Sequence, residues 1–319
     1  MFEVTRYTPE MQGEWNAFVE RSRQGTFLLD RNYMDYHHER FADFSLVVRH
    51  KGRIYALLPA NKDGDTLWSH QGLTYGGLIT DKRATADGVC EVFKDINLYL
   101  QDNGFKKVIY KCIPTIYHQL PAQEDLYALT NVCNARIVVR HIASTIVMDD
   151  KIKFIESRKS GIRKAKRVGL TVGRSDNYAA FWTVLENNLR DQYGAKPVHT
   201  LSEIELLKSR FPEQIQLYLT RDAKGEVVGG TLIFETPQVI HTQYISASHE
   251  GKATGALDIL FDYIINNVYS DRSRYPNIKF FDFGKSSDGD GHELNKSLIF
   301  QKEGFGGRGI CYDWYSWDL

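Results

Sequence analysis

Apolar positions along the chain alternate between a period of two, which marks a half-buried strand, and the i, i+3, i+4, i+7 spacing of an amphipathic helix. In the first half, residues 2–7 (FEVTRY) read as a strand, and residues 9–22 as a helix with Trp15, Phe18 and Val19 on one face. Residues 32–41 read as a second helix. Two strands follow, 44–52 and 53–60, with a hairpin signal at Lys51-Gly52. A helix is predicted over 84–103, because Val89, Val92, Phe93, Ile96 and Leu100 share a face and Asn103-Gly104 closes it. A strand (106–113), a helix (123–133) and a long strand (135–148) complete the half.

The second half repeats the order. Residues 170–174 are a strand, and 176–193 a helix with Asp176 as its cap and Phe181, Leu185 and Leu189 facing inward. Residues 201–211 form the next helix, 214–235 a hairpin turning at Ala223–Gly225, and 239–248 a further strand. A helix is predicted over 254–269, with Leu257, Leu260, Phe261, Ile264, Ile265 and Val268 in register. A strand (277–284), a short helix (292–301) and a closing strand (308–317) end the chain. The first half therefore reads strand, helix, helix, two strands, helix, strand, helix, strand, and the second half gives the same order with a third middle strand: a mixed α/β chain in two domains, 1–149 and 150–319.

Composition adds mainly exclusions. With 42% hydrophobic residues in 319, the chain can bury a substantial core. Forty basic and forty acidic residues give a formal net charge of zero, which speaks against a broad nucleic-acid-binding field. No apolar run approaches the length of a membrane span and the first residues lack a leader pattern, so a cytoplasmic, unanchored protein is expected. Cys90, Cys112, Cys133 and Cys311 form no CxxC pair, and the ten histidines show no ligand spacing; no metal site is expected. The motifs of serine hydrolases, zinc proteases and nucleotide phosphatases are missing.

The duplicated order resembles the GNAT acyltransferase fold in tandem, the arrangement of FemAB-type transferases and the related BioF2-like acetyltransferase domains. The resemblance implies a sheet that splays open to admit an acyl donor, with the reacting groups in the second domain. The stretch FDFG, followed by a short helix and KEGFGG, resembles the family pattern and carries onto Lys302 the role of supporting the reacting carbonyl or the acceptor. The aromatic that precedes the lysine in the family is Gln301 here, with Phe300 one position earlier.

Physical reasoning gives such a lysine a purpose. Negative charge grows on a carbonyl oxygen under attack; a cation about 4 Å away is worth about 1 kcal/mol in water and about 4 at an effective dielectric near 20. Lys302 therefore needs a closed site. A second donor is expected from backbone N–H groups near Ile245 or Ser246, and Asp282 or Tyr244 as acceptor of the amine's proton. The turn Gly251-Lys252-Ala253-Thr254-Gly255, at the head of a helix starting near Thr254, is the candidate cradle for a donor's phosphates. It departs from the glycine-rich loop of acetyl-CoA users, and a turn needing glycine for geometry accounts for the same residues.

One segment stands out by charge. Residues 156–170 (ESRKSGIRKAKRVGL) hold six basic residues and one acid, with Gly161 interrupting the helix. Arg158, Arg163, Lys164 and Arg167 are candidate phosphate ligands, since guanidinium forks bind phosphate oxygens in pairs. A basic linker helix held by acids elsewhere is the structural alternative. By resemblance the phosphates belong to a nucleotide-linked amine acceptor or to a donor such as aminoacyl-tRNA. Three readings result: an acyl-CoA-dependent N-acyltransferase acting on a cell-envelope precursor, an aminoacyl-tRNA-dependent transferase, and a non-catalytic module binding an anionic glycan or RNA.

Overall fold

The computed structural model describes residues 2–319, and its contacts divide the chain into two compact units. One takes the chain up to Ile142 with Ser287–Glu293 and Cys311–Leu319; the other takes Ala143–Ser286 with Leu294–Ile310. The units are thus not contiguous halves of the sequence, because each closing strand finds its partner outside its own half. Residues 143–147 pair antiparallel with Phe280–Lys285 in the second unit, and residues 314–318 pair with Lys107–Lys111 in the first.

In the first unit, Glu3–Arg6, Leu46–His50, Arg53–Leu58 and Ile79–Thr80 form an antiparallel sheet. The hairpin signal at Lys51-Gly52 is realised, with φ of 51° and 74°, the left-handed pair that a two-residue turn between twisted strands requires. Helix Ala86–Asp102 buries the five residues expected, and its core includes Tyr110 and Trp317. The helix expected over 32–41 shrinks to Arg31–Met34 and one 3-10 turn, Asp35–His37. There the His37 and His38 ring nitrogens bond the carbonyls of Met34 and Asp35, capping the turn with side chains rather than continuing the ladder.

In the second unit, Thr171–Arg174, Ile215–Arg221, Val227–Glu235 and Val239–Ala247 run antiparallel in that order. Val239–Ala247 then pairs in parallel with Phe280–Lys285. Helix Tyr178–Tyr193 is capped by Asn177, whose side chain accepts from Ala180 N, and not by Asp176. Helix Ala256–Tyr263, continued as a π-helical turn over Ile264–Val268, packs Leu260, Phe261, Ile264 and Ile265 against Ile233, Ile240, Phe281 and Phe283. Among the described residues, no helix is long and apolar enough to cross a membrane.

Candidate active site

The parallel pair holds for only three rungs, Val239↔Phe280, Ile240↔Phe281 and His241↔Asp282, and then the strands part. Both carry an extra residue where they diverge. Gln243 bulges from the ladder with Val227–Glu235, which runs Leu232↔Tyr244 and then Ile233↔Thr242. The partner strand slips between Asp282 and Lys285, with Gly284 at φ 70°. Bulges bend strands and re-aim side chains, so the opening is a consequence of local sequence rather than of fraying. It forms a cleft of about 640 Å³, lined by Ile245, Ser246 and Ala247 on one wall, Phe283 on the other, and Lys252, Gln301 and Lys302 among its polar groups.

Lys302 reaches this cleft from helix Lys296–Gly304, which Asn295 caps by accepting from Leu298 N. It is 4% exposed, and its ammonium donates to Gly284 O at 3.0 Å and Lys285 O at 2.6 Å. Of the three N–H bonds of an ammonium, one is left without a protein acceptor among the described residues. Burial lowers Lys302 to about 8, with the charge of Asp282 opposing. At neutral pH it is still mainly the cation that a developing oxyanion requires. Phe300 is 58% exposed and turns away, whereas Gln301 sits on the cleft beside Lys302.

Asp282 is fully buried. Its Oδ1 accepts from Thr145 Oγ1 (3.1 Å) and Gly284 N (3.0 Å), and its Oδ2 meets His241 Nδ1 at 2.8 Å. The carboxylate is thus enclosed by donors, and the side chain that it addresses is His241. Tyr244 packs its ring against Trp182, and its hydroxyl meets His199 Nδ1 at 2.7 Å and accepts from His199 N. Burial pushes Tyr244 up to about 12, which makes it a phenol at neutral pH and not a base.

Residues 153–292 match the family described as Acetyltransferase (GNAT) domain. That stretch of the second half is similar to a GNAT domain. Solved structures extend the likeness to the whole chain. FemX superposes with a TM-score of 0.68 at 12% identity, covering 99% of this chain and 97% of that one. L-PGS from Bacillus licheniformis gives 0.60 at 14%, over 97% and 91%. A tandem GNAT protein from the clavulanic acid biosynthesis pathway gives 0.51 at 13%, over 100% and 98%. No curated protein matches the chain. The fold is therefore that of the tandem-GNAT, FemAB-like proteins.

Within the matched region the remaining candidates separate into two groups. Ile245, Ser246 and Lys252 line the cleft, the last with its Nζ donating to Asn188 Oδ1. Gly251, Thr254 and Gly255 are not part of the lining. The helix expected to begin near Thr254 begins at Ala256, just after Gly255, and a separate short helix, His249–Thr254, precedes it, where Ser248 accepts from Gly251 N. A Cβ on Gly251 would lie 2.0 Å from Val228 O, and one on Gly255, at φ 84°, 2.5 Å from Gly161 O. Those glycines are there for close packing, and Thr254 Oγ1 bonds back to the Glu250 carbonyl.

The basic segment forms one helix, Glu156–Arg167, running straight through Gly161. Arg158 is paired with Asp258 at 2.8 Å, the two side chains 20% and 13% exposed, and its guanidinium lies 5.6 Å from the Phe305 ring centroid. It is thus an internal brace and not an open phosphate ligand. Arg163 pairs with Glu156 on the surface, while Lys164 and Arg167 stand exposed without an ion pair among the described residues. Sequence reasoning missed His241. It lies 41 positions from Asp282, and only the parallel register sets the two opposite each other.

Proposed function

We propose that the GNAT domain transfers an acyl group from a coenzyme A thioester to an amine of a cell-envelope precursor, a sugar, peptide or nucleotide-linked compound. The observation that carries this reading is the cleft between diverging strands, with the spare N–H of Lys302 in its lining. Beyond His241 the wall strand has no partner in the parallel pair, so main-chain groups along that edge suit the amide-bearing arm of coenzyme A. The amine attacks the carbonyl carbon, the oxygen takes up negative charge beside Lys302, and collapse expels the thiolate. The resemblance to FemAB-type transferases supplies the acceptor class, and Lys164 and Arg167 suit phosphates on a nucleotide-linked acceptor.

The test supplies acetyl-labelled acetyl-CoA and, separately, a pool of labelled aminoacyl-tRNA. UDP-N-acetylmuramoyl pentapeptide and glucosamine serve as amine probes. Acetyl label appearing in an amide, with one thiol released per transfer, is the expected result. Transfer from tRNA alone would place the protein with the aminoacyl-tRNA users, and consumption of neither donor would leave a recognition module.

A further inference from the structure

We infer that His241, oriented by Asp282, is the group that accepts the proton of the attacking amine. This role rests on the acyl-transfer reading and deepens it. A carboxylate only accepts hydrogen bonds, so the contact of Asp282 Oδ2 with His241 Nδ1 fixes the tautomer in which Nδ1 carries the hydrogen and Nε2 the lone pair. Nε2 has no hydrogen-bond partner among the described residues and keeps solvent access, although the side chain is only 10% exposed. Thr145 Oγ1 and Gly284 N hold the other oxygen, so the carboxylate cannot swing away from the ring.

The position matches the role. His241 and Asp282 form the last rung before the sheet opens. The His241 ring packs closely over Gly284, where a Cβ would sit 3.1 Å from Cε1 and 3.8 Å from Nε2, so a glycine at φ 70° is what lets the ring lie there. The carbonyl of the same glycine accepts from Lys302. One residue is thus flanked by a lone pair on one side and an ammonium on the other: the two groups that an amine attacking a thioester needs.

The step balances. The amine nitrogen bonds to the carbonyl carbon, Nε2 takes the N–H proton, and the imidazolium is stabilised by Asp282. The C–S bond then breaks, and the thiolate recovers the proton, leaving an amide, a free thiol and a neutral imidazole.

The experiment compares wild type with His241→Ala, His241→Gln and Asp282→Asn, using acetyl-CoA and the two amine probes and checking each variant by thermal unfolding. General-base loss predicts a fall in kcat of about 100-fold or more for both His241 variants, with KM for acetyl-CoA within about twofold. Added imidazole should restore His241→Ala at least tenfold and leave His241→Gln unchanged, since only alanine opens the space. Asp282→Asn, acting through the ring, should lower kcat without that rescue. A His241→Ala enzyme within threefold of wild-type kcat overturns the role, as does a folded His241→Ala whose deficit imidazole does not relieve. A wild type that consumes no donor overturns the acyl-transfer reading itself, and this role with it.

Discussion

At the scale of single residues, Lys302 is held in a compromise. Burial favours its neutral form, and the two carbonyls it serves favour the ammonium. In the proposed role, a lysine near 8 titrates within reach of working pH, so the rate should carry its signature. As pH rises, transfer first increases while the acceptor amine deprotonates, and then falls through about 8 as Lys302 loses its proton. Lys285, also lowered to about 8 by burial, adjoins the same turn, so the falling limb needs assignment. Lys302→Arg should move that limb by more than one pH unit to the alkaline side, whereas Lys285→Met should leave it in place; a kcat profile of each decides. Lys302 was legible in sequence because KEGFGG travels as a local pattern. Asp282 was legible as a strand-end acid, but its enclosure by Thr145, Gly284 and His241 was not, since those donors come from different strands.

At the scale of elements, periodicity located most helices and strands, and the differences lie where side chains bond backbone or glycines allow close approach. Gly161 looked like an interruption worth about 1 kcal/mol. In the structure a Cβ there would lie 1.9 Å from Asp258 Oδ2, so the glycine lets the basic helix settle on helix Ala256–Tyr263 and lets Arg158 reach Asp258. Burial raises the Asp258 carboxyl while Arg158 opposes it, so the arginine offsets part of the cost of burying the acid. The helix therefore has a packing face and an exposed basic side that sequence could not divide. Arg158→Ala should destabilise the protein by about 1–3 kcal/mol, the cost of stranding a partly buried carboxylate, as read from urea unfolding. The double variant Lys164→Ala/Arg167→Ala should leave stability within about 0.5 kcal/mol and raise KM for a nucleotide-linked acceptor. The opposite pattern would return Arg158 to the ligand-binding face.

At the scale of the whole molecule, the doubled order of elements was legible because each copy satisfies its own hydrophobic periodicity. Which strand closes which sheet was not, because pairing partners are chosen by tertiary packing and not by the strand's own pattern. A chain cut at 149/150 would separate residues 1–149 from Trp317, which is 5% exposed in the first unit's core, donates to Asn97 Oδ1 and pairs with Val108. Losing a buried tryptophan costs about 3–5 kcal/mol before any ladder bond is counted, against a typical domain stability of about 5–15 kcal/mol. The fragment 1–149 should therefore fail to unfold cooperatively in urea and should show poorly dispersed amide resonances. Deleting only residues 311–319 from the full chain should do comparable harm to the first unit, while the second, whose paired strands over 171–285 lie outside the deletion, keeps protected amides in hydrogen exchange. A fragment 1–149 with a sharp transition and dispersed resonances would show that the first domain closes its sheet without the C-terminal strand.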